Sequence, residues 1–305
     1  MREVKEICQH FLGIDPSVDM IPVRPAQHYT MGGVRTNPLG HSTGLRGLFS
    51  AGESACWDIH GFNRLGGNSL AETIVAGMIV GESIADFCDD PAEDVDFPTS
   101  LVNEFLKREQ LRLDTFFNGH GHEDANKLRV AMQDIMTRHV GIFRSGDSLQ
   151  QAVDELAVLI RRSHNIAVHY AARGANPELV AAYRVRRMLK LAQTIAYGAL
   201  LRTESRGAHF RADFPRRDDA SWLKRTLARW PDDNATLPDI SYETLNIMKM
   251  ELPPGWRGYG DKNHIVHPDT ARREIEIGQG QHVEAAYLNL LPPQFRGDNE
   301  RLTEE

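Results

Sequence analysis

The sequence predicts an α+β, multi-domain chain, and three observations carry that expectation. Residues 100 to 205 read as helix throughout. The residues before them combine prolines, glycines and one short apolar run that leads to a single long apolar helix. Between the two lies CDDPAEDVDFPTS, rich in acid and proline, which sets a boundary near residue 95. With 305 residues and 41% hydrophobic content, the chain can form cores in two or three units.

The first element is MREVKEICQHFLG, an amphipathic helix with Val4, Ile7, Phe11 and Leu12 on one side and Gly13 as its stop. It lacks the pattern of a signal peptide. Met20 to Gly33 is extended, because its prolines forbid a helix. Gly47 to Glu53 (GLFSAGE) reads as a buried strand, stopping either at a ligand or at an ordinary turn. Next comes HGFNRLGGNSL, and then a helix from Ser69 to Phe87 whose start Ser69-Leu70-Ala71-Glu72 has the form of a capping box. The apolar stretch Leu70 to Cys88 carries Glu72, Glu82 and Asp86, so it predicts a buried helix and not a membrane span.

The helical region divides by its own signals. Leu101, Phe105, Leu111 and Phe116 mark a first helix, and Asp124 to Val140 a second. Ser148-x-x-Gln151 marks the start of a third, and Asn176-Pro177-Glu178 the start of a fourth. These predict an antiparallel bundle of three or four helices. The last hundred residues are a small mixed region. Trp222, Trp230 and Trp256 lie between prolines and β-like runs such as Ile240 to Leu252, with a helix and a frayed end after Pro268. The expected domains are residues 1–27, 28–95, 96–205 and 206–305.

Charge and cysteine usage exclude several classes. A net charge of −7 and a pI near 6.0 argue against general nucleic-acid binding. The basic runs Arg184 to Lys190 and Arg216-Arg217 are flanked by acids, which predicts solvated faces or internal ion pairs. Cys8, Cys56 and Cys88 are odd in number and lack C-x-x-C spacing, so neither a disulfide framework nor structural zinc is expected. His120, His122 and Glu123 have metal-ligand types, but their glycine-spaced loop predicts solvated side chains, and no metal is expected.

The glycine turn before Ser69 has neither the P-loop lysine nor the G-x-G-x-x-G pattern. A helix start offers unpaired N–H groups and the positive end of a dipole. Gly66 and Gly67 let a planar or anionic ligand approach the backbone, and Arg64 supplies a fork suited to a carboxylate. Read alone, the turn fits equally well as a tight entry into a buried helix, with Arg64 in a structural ion pair. His28, read alone, is a structural hydrogen-bonder on an extended run.

Three segments in order, QHYTMGG (27–33), LFSAGE (48–53) and HGFNRLGGNSL (60–70), strongly resemble the flavoprotein subunit of succinate dehydrogenases and fumarate reductases. RTESRGAH (202–209), Asp213-Phe214-Pro215 and Arg217-Asp218-Asp219 extend the match. The wording ACWDIHGFNRLGG is similar to the menaquinol-linked fumarate reductases. The resemblance places this chain in the C-terminal half of such a subunit. Residues 1–27 would end a capping domain and return to the flavin domain, and residues 28–95 would be the C-terminal part of an FAD-binding α/β domain.

The resemblance implies FAD as cofactor, interconversion of fumarate and succinate by hydride transfer, and a small dicarboxylate substrate. It implies that the backbone of Ser69 and Leu70 contacts the flavin ring, with Gly67 and Asn68 in the same cofactor-binding turn. Glu53 would hold ribityl hydroxyls, and His28 and Arg64 would grip the dicarboxylate. The proton donor is expected outside this chain, so no catalytic acid is assigned. Arg206 and His209 are expected to support the flavin domain structurally. The implied partners are an iron–sulfur subunit and a quinone-binding membrane anchor subunit. The implied location is cytoplasmic and peripheral on the inner membrane, with the periplasmic side as the other option. An L-aspartate oxidase-like enzyme and a non-catalytic docking fragment are the alternatives. The isolated chain is expected to hold FAD weakly and to expose apolar surface.

Overall fold

The computed structural model describes residues 2–23, 28–93, 98–118, 120–170, 174–250 and 265–281. The N-terminal helix forms where its periodicity places it. It comprises α1 (Arg2–Ile7) and a continuing π-helical turn, Cys8–Leu12, closed by Gly13. Its apolar residues Val4, Ile7, Phe11 and Leu12 are exposed, and only Cys8 is buried.

β1 (Val34–Arg35) pairs in parallel with β2 (Ala55–Cys56), in the register Val34 to Ala55 and Arg35 to Cys56. The strand expected over residues 47–53 does not form. Ser42 and Ser50 hydrogen-bond across to Leu48 and Gly40, Phe49 makes one isolated bridge to His41, and Gly52–Ser54 winds into a 3-10 turn. No regular strand among the described residues lies beside this run, and a single run cannot satisfy its own backbone as a strand.

α2 spans Asn68–Asp89. It begins one residue before the expected Ser69, and the capping box does not form. Gly67 is the cap at φ 83°, a left-handed conformation that glycine adopts without strain, and no side chain caps the helix there. Glu72 does not reach back to a cap but turns inward on the stripe Glu72, Ala76, Ile79, Val80, Ser83. The expectation of a buried helix also fails on the opposite face. Leu70 is 73% exposed and Ile74 62%, and Met78 is open as well. Among the described residues the 40–54 loop covers only the inner stripe, and no side atom lies within 4 Å of a Cβ added at Gly77 or Gly81.

The bundle follows the capping signals. α4 (Ala125–His139) is capped by Asp124, which accepts from the Lys127 N–H. α5 (Gly146–Arg162) is capped by Ser145 and so starts before the expected Ser148. α6 (Pro177–Leu201) opens on Asn176 with Pro177 in its first turn. Leu128, Leu149, Leu156 and Leu189 interlock at the centre of these three helices. α3 (Thr99–Asn118) joins only by its last turns, where Phe116 is buried and meets Tyr183 edge-on at 5.2 Å. Its Leu101, Phe105 and Leu111 are exposed, so the core has three helices and one partial member.

Beyond the bundle, β3 (Phe143–Arg144) pairs in parallel with β4 (Phe210–Arg211). A short helix, α7 (Asp219–Trp222), leads into the hairpin of β5 (Lys224–Arg229) and β6 (Asp239–Thr244). The expected run to Leu252 stops at Thr244, because Asn246 caps a 3-10 turn at Ile247–Lys249. α8 (Thr270–Gly278) follows Pro268 as expected. Residues 94–97 of the acidic linker, Gln27, Trp256 and the expected frayed end beyond 281 lie outside the described residues. None of the described helices is long and apolar enough to cross a membrane.

Candidate functional site

Segments far apart in sequence meet at the start of α2. The Tyr29 hydroxyl and the Trp57 indole N–H donate to Glu72 at 2.9 Å each, and His60 Nε2 lies 2.7 Å from the same carboxylate. The Glu72 side chain is 1% exposed. The Thr30 N–H donates to Glu53 Oε1 at 2.9 Å. Burial first, and then the hydrogen bond to Glu72, pushes the Tyr29 phenol up to about 12.

The residues singled out in the sequence take these places. Arg64 rests over the Tyr29 ring at 5.1 Å and donates to the Leu65 carbonyl. It forms no ion pair with a carboxylate among the described residues, so the structural-pair reading of Arg64 finds no partner there. His28 is exposed beside Tyr29, and Glu53 is exposed with one oxygen engaged by Thr30. In the first turn of α2, the Asn68 N–H bonds Leu65 and the Ala71 N–H bonds Gly67. The N–H groups of Ser69 and Leu70 have no acceptor among the described residues. A Cβ at Gly66 or Gly67 would meet nothing within 4 Å, so the backbone there lies open. A flat ligand with an acceptor edge fits this cradle: two adjacent free N–H groups, an exposed Leu70 and the positive end of a helix dipole.

Glu72 is the residue that sequence reasoning missed. Its capping-box spacing drew it to the helix start, but its i, i+4, i+7 relation to Ala76 and Ile79 is the signal that places it inside.

The loop carrying Arg64 is held from behind. Asp58, at φ 81°, is the one non-glycine residue in the left-handed region among those described, and its carboxylate pairs with Arg225 of β5 and with Arg35. The Phe62 carbonyl accepts from the Ala208 N–H at 2.8 Å. Gly207, at φ 55°, lies so close that an added Cβ would stand 2.8 Å from that carbonyl. The Arg202 guanidinium is sandwiched between the rings of Phe62 (4.6 Å) and Trp222 (4.8 Å). Glu204 pairs with Arg202 at 2.6 Å and Arg206 at 2.8 Å, and Asp219 pairs with Arg206 at 2.7 Å and Arg217 at 2.9 Å. Arg206 therefore belongs to a buried ion network and not to the open cradle.

His209 accepts from Arg144 through Nδ1 and faces the Arg202 carbonyl through Nε2, which fits the neutral Nε2–H form. Burial first, and then the Arg144 charge, pushes it down from 6.5 to about 4. Between those values the unfolded chain binds a proton here that the folded chain does not. The stabilisation is therefore complete above pH 6.5 and lost as pH falls toward 4, on the order of 3 kcal/mol at most. Urea unfolding at pH 7.5 and 4.5 checks this. The fall in stability should be smaller in His209→Gln, and equal falls in both proteins would refute it.

Elsewhere, Glu123 pairs with Arg162 at 2.7 Å, and the described residues hold no cluster of three metal-ligating side chains. Within the basic run, Lys190 pairs with Asp233 and stacks on Trp230, and Arg186 reaches His164.

Residues 1–70 match the family model for an FAD binding domain, and residues 129–259 match that for the fumarate reductase flavoprotein C-terminus. The fumarate reductase flavoprotein subunit of Helicobacter pylori is 46% identical over 91% of this chain, which covers 42% of that protein. The Mycobacterium tuberculosis subunit is 40% identical over 84% of this chain, which covers 44% of it. Among solved structures, an Escherichia coli quinol fumarate reductase chain matches with a TM-score of 0.73 at 33% identity, over 85% of this chain and 43% of that one. A quinol–fumarate reductase solved with menaquinol molecules gives 0.75 at 33% identity, over 83% and 43%. The open helix start, the loop that carries Arg64 and the bundle behind it thus lie in a chain that belongs to the fumarate reductase and succinate dehydrogenase flavoprotein family and spans less than half the length of the relatives it matches.

Proposed function

We propose that this chain supplies the substrate- and flavin-facing part of an FAD-dependent enzyme that interconverts fumarate and succinate. One observation carries the reading: among the described residues the N–H groups of Ser69 and Leu70 have no acceptor, and the guanidinium of Arg64, on the turn that leads into them, has no carboxylate partner. Ser69 and Leu70 would donate to the acceptor edge of the flavin ring, where the helix dipole favours negative charge. Gly67 and Asn68 shape the turn, and the free oxygen of Glu53 would accept from ribityl hydroxyls. Bound FAD supplies the hydride chemistry. Arg64 and His28 would hold the two ends of a dicarboxylate by charge-assisted hydrogen bonds and fix its carbon skeleton against the ring. No residue of this chain is assigned as proton donor. An iron–sulfur subunit and a quinone-binding membrane anchor are the fitting partners, with the protein peripheral on the cytoplasmic face of the inner membrane.

The test is Arg64→Gln in the flavin-loaded protein. Fumarate reduction by a reduced dye should lose about 100-fold or more in kcat/KM, as expected when one partner of a buried charge-assisted contact is removed. Flavin absorbance should be retained. Activity at the unaltered level would overturn the assignment.

A further inference from the structure

A buried carboxylate with no arginine or lysine beside it is costly to keep. Among the described residues, Glu72 is such a group. Its partners are the Tyr29 hydroxyl, the Trp57 indole N–H and the His60 imidazole, and they come from the segment whose Tyr29 ring meets Arg64 and from the run that leads into the Arg64 loop. An apolar residue would complete the stripe of Ala76, Ile79 and Val80 more simply.

We infer that Glu72 is a positioning residue: by anchoring the Tyr29 hydroxyl it fixes the aromatic shelf under the Arg64 guanidinium, and so sets that arginine's aim at a dicarboxylate. The inference rests on the reading above that Arg64 holds a substrate carboxylate.

Tyr29 makes three contacts that support it. Its hydroxyl bonds Glu72, its ring meets His60 edge-on at 5.3 Å, and Arg64 lies over the ring at 5.1 Å. Apart from the Leu65 carbonyl, this ring is the group among the described residues that orients the guanidinium. A carboxylate accepting from the phenol also enriches the ring in electron density, which strengthens its attraction for a cation.

His60 is tied in the same way. Its Nε2 meets Glu72, while its buried Nδ1 has no hydrogen-bond partner among the described residues. Among the described residues the carboxylate is therefore the hydrogen-bond partner that sets how the imidazole turns, and the imidazole in turn abuts the Tyr29 ring. An amide keeps one acceptor oxygen, so its NH2 group would stand where either the Trp57 N–H or the Tyr29 hydroxyl and His60 meet an acceptor, and the anchor weakens.

The experiment uses flavin-loaded protein and malonate, a dicarboxylate that does not react, with affinity read by calorimetry. Glu72→Gln and Tyr29→Phe should each weaken malonate about tenfold, the scale of a lost oriented cation–π contact. The double variant should be no weaker than Glu72→Gln alone, because both changes break one link. Flavin absorbance should stay unchanged. Wild-type malonate affinity in folded Glu72→Gln, even with a lowered melting temperature, would overturn the inference. So would losses that multiply in the double variant. Should Glu72→Gln fail to fold, Tyr29→Phe tests the same link, and wild-type affinity there overturns it. Arg64→Gln separates the two levels. If it binds malonate normally, the substrate reading fails and takes the inference with it. If it is impaired while Glu72→Gln is not, the inference alone fails.

Discussion

Glu204→Ala is expected to destabilise the protein by about 3–5 kcal/mol, the cost of removing one partner from a buried ion pair. Glu204 is 0% exposed and accepts from the Arg202 and Arg206 guanidiniums and from the Asp218 N–H. Alanine would leave two largely buried guanidiniums facing each other. Arg206 keeps Asp219, but the hydrogen-bond acceptors left to Arg202 among the described residues are backbone carbonyls and the Thr226 hydroxyl. A domain has a net stability of about 5–15 kcal/mol, so the loss is a large share of the total. The consequence reaches the cradle, because Arg202 is also the group stacked on Phe62. Urea unfolding measures the midpoint, and malonate affinity reads the loop. A midpoint shift worth less than about 1 kcal/mol would mean that water replaces the carboxylate and that the network does not hold the joint.

What was legible in the sequence follows from where the interactions are local. Caps report themselves, because the donor and acceptor lie within three residues. Asn176 and Pro177 therefore stand where their pattern puts them, and Ser145 takes the cap expected at Ser148. The bundle core was less legible: of the apolar residues that mark its first helix, Phe116 is buried but Leu101, Phe105 and Leu111 are exposed. Glu72 was not legible. Its spacing from Ser69 satisfied a local rule, while its true partners lie 43, 15 and 12 residues away. The ion network was half legible. Its residues stand in the quoted segments RTESRGAH and Arg217-Asp218-Asp219, but their pairing depends on the fold returning the chain past Trp222. The short strand at 47–53 failed for a related reason: a strand is a statement about a neighbour, and periodicity alone does not supply one. The cradle was legible as a helix start with glycines, whereas the shelf under Arg64 required knowing that the fold brings the Tyr29 ring against that arginine.

The second large effect separates two apolar helices that composition treats alike. Leu156→Ala in α5 should cost about 3–4 kcal/mol, within the range for buried leucines that leave a cavity. Leu156 is 0% exposed at the centre of a close-packed cluster, and the helices around it are fixed by caps and by Gln193, whose amide donates to Val153 and Thr236. Collapse into the gap is thereby hindered, which keeps the cavity term large. Ile74→Ala in α2 removes the same number of carbons but from a residue 62% exposed, so it should change stability by less than about 1 kcal/mol, with alanine's helix propensity offsetting part of the loss. Parallel urea titrations give both numbers under one condition. A loss at Ile74 matching that at Leu156 would show that the outer face of α2 is covered in solution. A dilution series would then tell a second copy of the chain, whose effect weakens with concentration, from packing within one chain, whose effect does not.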